Sequence, residues 1–262
     1  MHTKDTLIKQ LKELGIKPDD TVLMHSSYKS MGEVEGGPDT VLDALSEYLK
    51  DDGLLVLPTH TWALIKADNP RYYVEDTPSN VGILTELFRK REGVVRSLHP
   101  THSVGALGKD AETFVEGDER FNTPCARESS YGKLLDRKAK ILLVGVDLIR
   151  NTFIHGIEEW VDIPGRLTDE EEQLYTVLPD GTEISVPSQR HTPFSWSLNF
   201  WKVDEVLQEQ GAMFVAKFGD ADVRVCDTVK LTEVLNEMLA AFPGLFDDKL
   251  PLTAEQRNFF SK

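Results

Sequence analysis

The residue types best suited to chemistry stand together at Asn151-Thr152-Phe153-Ile154-His155-Gly156-Ile157-Glu158-Glu159. Asn151 is a good helix N-cap, because its short side chain can accept a free N–H of the first turn. On a helix, residues three and four apart share a face. His155 can therefore meet Glu158 or Glu159, and Thr152 lies three residues earlier on the same side. One short helix would then present a hydroxyl, an imidazole and a carboxylate together. An imidazole titrates near neutrality and can take a proton from a reacting group. A neighbouring carboxylate fixes its tautomer and stabilises the imidazolium that forms. The same spacing also describes a helix with two solvated glutamates and a histidine packed at its end.

Two further segments offer binding groups. His25-Ser26-Ser27-Tyr28-Lys29-Ser30-Met31-Gly32 is rich in hydroxyls and can offer them, with backbone N–H groups and Lys29, to a phosphate or an amide. It is not a P-loop, since G-x-x-x-x-G-K is absent. Arg96-Ser97-Leu98-His99-Pro100-Thr101-His102-Ser103 is basic inside an acidic chain, and the planar fork of Arg96 suits phosphate oxygens. His99 and His102 raise the idea of a metal, but no third ligand lies nearby and Pro100 keeps both off one helical turn. No metal is therefore expected. His2 is terminal, and His60 and His191 lie in polar or Pro-bearing loops, where surface or hydrogen-bonding roles are expected.

These segments need elements to hold them. Thr3 can cap a helix with the stripe Leu7, Ile8, Leu11 and Leu14, ending at Gly15. Residues 21–25 and 54–57 read as short buried strands, and Pro38 opens a helix carrying Val41, Leu42, Leu45, Tyr48 and Leu49. Ser79 is expected to cap a helix with Val81, Leu84, Leu87 and Phe88. A strand is expected over 103–107, and 141–146 is the most apolar strand of all. A last helix spans about 227–241. Four histidines fall at or just beyond predicted strand ends, where open α/β sheets usually bind ligands. Apolar strands alternating with amphipathic helices indicate an α/β sandwich with a largely parallel sheet. Residues 162–197 differ: an acidic run, several prolines and the turn Pro179-Asp180-Gly181-Thr182 mark a hairpin-bearing excursion. It could form a substrate wall or a plain surface insertion.

The bulk numbers narrow the partners. A chain of 262 residues with 40% hydrophobic and 28% charged residues has the composition of a soluble globular protein. A net charge of −15 argues against nucleic acid, and suits either plain solubility or attraction of a polycationic small molecule. No apolar run approaches the roughly 20 residues of a membrane span. The N-terminus lacks the apolar stretch of a secretory signal, and two cysteines, Cys125 and Cys226, make no disulfide framework. A cytoplasmic location is expected. Sequence alone leaves the oligomeric state open.

Taken in order, the segments resemble the aminoglycoside 3-N-acetyltransferase family. The likeness rests on V-L-M-H-S-S-Y-K-S-M-G, then E-G-G-P, L-L-V-L-P-T, T-P-S-N-V-G-I-L-T-E-L-F-R, R-S-L-H-P-T-H-S-V, S-S-Y-G-K-L and N-T-F-I-H-G-I-E-E. It covers the first two-thirds of the chain and fades in the last third, so it leaves the acceptor open. The resemblance implies a single domain over 1–262 with a three-layer α/β/α fold and a mixed, largely parallel sheet, unlike the GNAT acetyltransferases. Residues 162–197 would be its substrate-side subdomain. It implies acetyl-CoA as donor, a cationic amine such as an aminoglycoside as acceptor, and no metal. It matches His155 to the catalytic histidine, Glu158 in preference to Glu159 to its carboxylate partner, and Thr152 to the hydroxyl near the thioester. By the same likeness His25, Ser26, Ser27, Tyr28, Lys29 and Ser30, with Arg96, Ser97, His99 and Ser103, fall in the regions that bind the pantetheine arm and phosphates of CoA. Two other readings of the same residues are a metal-dependent hydrolase built on His99, His102, His155 and a glutamate, and a non-catalytic CoA-binding protein.

Overall fold

Thr3 starts the chain's first helix with a reciprocal cap: its hydroxyl accepts the Thr6 N–H at 3.3 Å, and its own N–H reaches the Thr6 hydroxyl at 2.8 Å. The computed structural model describes residues 1–49, 51–192 and 194–261, with backbone only for Phe194 and Ser195. Its first half runs α1 (Lys4–Glu13), β1 (Thr21–Ser26), α2 (Pro38–Leu49), β2 (Leu54–Pro58), β3 (Arg71–Tyr73), α3 (Ile83–Phe88), β4 (Val95–Arg96), β5 (Val104–Gly108) and α4 (Ala111–Val115). The second runs α5 (Ser130–Asp136), β6 (Lys140–Val144), α6 (Thr152–Trp160), β7 (Tyr175–Val177), β8 (Glu183–Ser185), α7 (Asp204–Glu209), β9 (Met213–Phe218), β10 (Ala221–Asp227), α8 (Thr228–Ala241) and α9 (Ala254–Arg257).

Seven strands form one mixed sheet in the order β4-β5-β2-β1-β6-β10-β9. The continuous apolar strands β2, β1 and β6 lie at its centre and pair in parallel, with Val22 beside Leu55 and Leu23 beside Ile141. The α/β/α sandwich and the mixed sheet match the expectation. The phrase "largely parallel" holds only for this centre, because the outer four ladders are antiparallel. The cause is local: β9 and β10 form a hairpin, and β5 returns alongside β2 in the opposite sense. Alternation along the strands divides the core. Leu23, Leu54, Val56, Ile141 and Leu143 face α5, α6 and α8, whereas Val22, Met24, Leu55, Leu57, Leu142 and Val144 face α1, α2 and α3. Leu143 is fully buried, and truncating such a residue to Ala typically costs about 2–5 kcal/mol.

Some boundaries differ from expectation. The helix read from Ser79 begins at Ile83, with Gly82 at its cap; the Ser79 hydroxyl instead pairs with Thr85 Oγ1 at 2.8 Å. The fifth strand covers Val104–Gly108, and the sixth ends at Val144. There Gly145 turns with φ +62°, and a Cβ on it would stand 2.5 Å from Ser30 Cβ. This close approach packs the loop after β6 against the loop after β1. The excursion carries the expected hairpin, β7 against β8, closed by Gly181 at φ +85° and an Asp180 carboxylate that accepts the Thr182 N–H at 2.9 Å. Pro193, within that excursion, lies outside the described residues. β3, short and unread in the sequence, joins β7 in parallel to complete a second sheet over its own core of Ile65, Tyr72 and Leu174. Among the described residues no helix is long and apolar enough to cross a membrane.

Candidate active site

The chain turns away from the sheet at the carboxyl ends of β1, β2 and β6, and a cavity of about 470 Å³ opens there. β1 supplies His25 and Ser26, the β2 end supplies Pro58, His60 and Trp62, and the loop and helix after β6 supply Val146, Ile149, Arg150, Asn151, Thr152 and His155. The opposite wall comes from the excursion and the segment after it, with Arg190, His191, Ser197 and Leu198. Asn80, Val81 and His102 complete the lining.

Helix α6 sets the central geometry. His155 Nδ1 lies 3.2 Å from Glu158 Oε2, so Nδ1–H donates to the carboxylate and Nε2 keeps its lone pair. Glu158 is fully buried, and Arg166 Nε donates to its other oxygen at 2.5 Å. Arg166 is itself fixed by Asp247 at 2.9 Å and by the Trp196 ring, 3.9 Å below its guanidinium. Glu158 thus has little freedom, and neither does the imidazole it holds. Burial, and secondarily His191, push the His155 pKa below its ordinary value, while Glu158 works in the other direction.

Glu159 belongs to a different histidine. Its Oε1 lies 2.6 Å from His191 Nε2 and also accepts the Cys125 N–H at 3.0 Å. The His191 ring stacks on His155, with centroids 4.1 Å apart and planes 15° apart, and Phe200 covers His155 edge-on at 4.9 Å. Burial raises Glu159 to about 7 and lowers His191 to about 4. Low dielectric disfavours the charged form of each, so below about pH 7 the pair is neutral, with the proton on the carboxyl. Behind it, His102 lies 5.2 Å from His191 and 4.8 Å from His60, ring to ring, and His60 Nε2 meets the Tyr131 hydroxyl at 2.6 Å. Burial holds His60 and His102 well below their ordinary pKa and His99 at about 3. This is a cluster of neutral imidazoles, in which burial disfavours taking up a proton.

The residues expected to bind a cofactor divide. His25 and Ser26 line the cavity, while Ser27, Tyr28, Lys29 and Ser30 build the turn beyond it, where the Ser30 hydroxyl donates to Ser27 Oγ at 3.1 Å. Arg96, expected to meet phosphate, does not line the cavity. Its guanidinium is buried and donates to the carbonyls of Thr59, Val74 and Thr77 and to the Thr59 hydroxyl, with Tyr72 stacked beneath. Ser97 and Ser103 are likewise buried, tied to the Val104 N–H and to Thr59. His99 Nδ1 accepts the N–H groups of Thr101 and His102. These four residues brace the β2–β5 end rather than face the cavity. Arg150, exposed at the rim, makes no side-chain hydrogen bond or ion pair among the described residues and is the cation available there.

His60 and His191 do form hydrogen bonds, but inside the site and not on the surface. Nothing in their local sequence points there, because their partners stand 71 and 32 positions away. The donor atoms that converge most closely among the described residues are those of Cys125, Glu159 and His191, all within 4.8 Å, and not the His99–His102–His155 set of the hydrolase reading. Two of them are already hydrogen-bonded to each other, and burial holds the Cys125 thiol well above its ordinary pKa, against the thiolate a metal would need.

Comparison with known proteins adds to this geometry. The family model for aminoglycoside 3-N-acetyltransferase matches residues 23–240. Aminoglycoside N(3)-acetyltransferase VII of Streptomyces paromomycinus is 31% identical over 199 residues, covering 70% of this chain and 68% of that protein. The crystal structure of the aminoglycoside acetyltransferase AAC(3)-IVa superposes with a TM-score of 0.81 at 25% identity, over 93% of this chain and 90% of that one, and a mutant of it is solved in complex with gentamicin. AAC-IIIb, solved as a binary complex with CoASH, shares the fold with a TM-score of 0.79 at 22% identity, over 92% of this chain and 97% of that one.

Proposed function

The chain belongs to the aminoglycoside 3-N-acetyltransferase family, a family of acyltransferase enzymes, and on that premise we propose that it moves the acetyl group of acetyl-CoA to an amine of an aminoglycoside or a related cationic amine, with His155 as general base. The observation that carries this reading is the His155–Glu158 pair on the wall of the cavity. A protonated amine has no lone pair with which to attack a carbonyl. A neutral imidazole that removes a proton from it contributes roughly 10²–10⁴ in rate. Burial keeps His155 neutral before reaction, and Glu158 orients it and stabilises the imidazolium afterwards. Acetyl-CoA, when bound, supplies a thioester whose leaving thiol, with a free pKa of about 8.5, needs little acid assistance.

The cavity suits such a donor. Val81, Val146, Ile149 and Pro58 offer apolar wall for the pantetheine arm, and the buried His25 Nε2 and Asn80 Nδ2 have no hydrogen-bond partner, as groups awaiting an amide would. Arg150 takes the phosphate role at the rim. Thr152 lines the cavity on the thioester side. Residues 162–197 act as the acceptor-side wall of a single domain, because they bring Arg190 and His191 to the cavity. The cavity's described lining includes two arginines and no carboxylate, so attraction of a polycation would come from the overall charge of −15. Two free, buried cysteines suit a reducing cytoplasm.

The test mixes the full chain with acetyl-CoA and a panel of aminoglycosides and simpler amines, and follows free thiol. Release is expected for at least one amine. His155→Ala should lower it by 10²-fold or more while CoA still raises the melting temperature. A variant that keeps the wild-type rate removes His155 from the mechanism. Thermal stabilisation by CoA without thiol release from any acceptor would support the non-catalytic reading instead.

A further inference from the structure

Asn151 occupies the N-cap of α6, where an asparagine side chain ordinarily accepts an N–H of the first turn. Here it makes no such bond. The residue is only 1% exposed, and neither Oδ1 nor Nδ2 has a hydrogen-bond partner. A buried carboxamide left wholly unpaired in a native fold calls for a ligand. Asn151 lines the same cavity as His155 and stands one helical turn before it, an axial rise of about 6 Å on the same side of the helix. At this end the N–H groups of Thr152 and Phe153 have no acceptor within the helix, and the helix dipole is positive.

We infer that Asn151 Nδ2, supported by the first N–H groups of α6, receives the acyl carbonyl oxygen during transfer. The inference rests on the acyltransferase reading above. As the amine nitrogen forms its bond to the carbonyl carbon, the C=O π electrons move onto oxygen, and Nδ2–H holds that charge. The amine proton passes to His155 Nε2. When the C=O bond re-forms, the C–S bond breaks and sulfur leaves with its electron pair as thiolate. Base and oxyanion donor, one turn apart, flank the carbon between them. An oxyanion donor acts on the charge that develops in the transition state and not on the resting substrate, so it governs kcat more than KM.

Asn151→Asp and Asn151→Ala in the full chain test this, assayed with an amine that the wild type acetylates. Both should lose roughly 10²–10³ in kcat. CoA-dependent thermal stabilisation should persist, and KM should change by less than about threefold. Because the Asn151 side chain makes no hydrogen bond in the fold, the Ala variant should melt like the wild type. A kcat within tenfold of wild type overturns the inference while leaving the acyltransferase reading intact. So does a large fall in melting temperature for the Ala variant, which would mark a structural role. A wild type that releases no thiol with any amine refutes the acyltransferase reading, and the inference with it.

Discussion

Glu159→Gln tests whether the buried Glu159–His191 pair keeps a proton up to about neutral pH. In the folded chain the Glu159 carboxyl holds its proton up to about pH 7, against an ordinary 4.5, because burial penalises its charged form. Between those values the folded state keeps a proton that the unfolded state has released. Stability therefore falls as pH rises across that window, by about 3 kcal/mol in total at about 1.4 kcal/mol per pH unit. His191 does the reverse. Its pKa drops from 6.5 to about 4, so the unfolded state binds the extra proton and stability rises between those values. The two nearly cancel in the wild type, which is why a variant is needed. Gln keeps the shape of Glu159 and an oxygen for the Cys125 N–H, but it does not titrate. Thermal unfolding at pH 5 and pH 8 is the assay. Relative to wild type the variant should gain about 2.5 kcal/mol across that interval, or roughly 5–10 °C in Tm. An equal Tm difference at both pH values refutes the buried neutral carboxyl. A variant that loses ground as pH rises refutes it as well.

Three more outcomes follow from the same geometry. Arg166→Met strands the Glu158 carboxylate without its buried cation and should cost about 3–5 kcal/mol in urea unfolding, with kcat falling as His155 loses its anchor. Arg96→Met removes donors to buried carbonyls and should lower Tm while leaving KM for acetyl-CoA unchanged; Arg150→Ala should do the opposite, and a CoA-specific effect at Arg96 would reverse its assignment to the scaffold. The kcat/KM profile should rise through a pKa below 6.5, because burial and His191 favour neutral His155, and His191→Gln should move that limb upward; a limb unmoved by the substitution would show that burial alone sets it.

Much of the fold was legible because local and global signals agree. Thr3 and Pro38 mark helix starts, the continuous apolar runs of β1, β2 and β6 mark the sheet centre, and Pro179-Asp180-Gly181-Thr182 marks the hairpin. The pairing of His155 with Glu158 was readable because three helical positions bring them together. Glu159 looked interchangeable with Glu158 at that level. What separates them is tertiary: Arg166 claims one carboxylate and His191 the other. Arg96 was less legible: in sequence a guanidinium in a hydroxyl-rich loop suits phosphate, and only the fold reveals that three carbonyls already surround it. β3 and β4 are two or three residues long, too short for any periodicity.

The hairpin Tyr175–Ser185 hangs from a sheet of its own, and that sheet shares no ladder with the seven strands that carry α6. Altering the turn at 179–182, or the length of the strands beside it, leaves the register of β1, β2 and β6 untouched. A lineage built this way can vary the appendage while the strands that carry α6 keep their pairing.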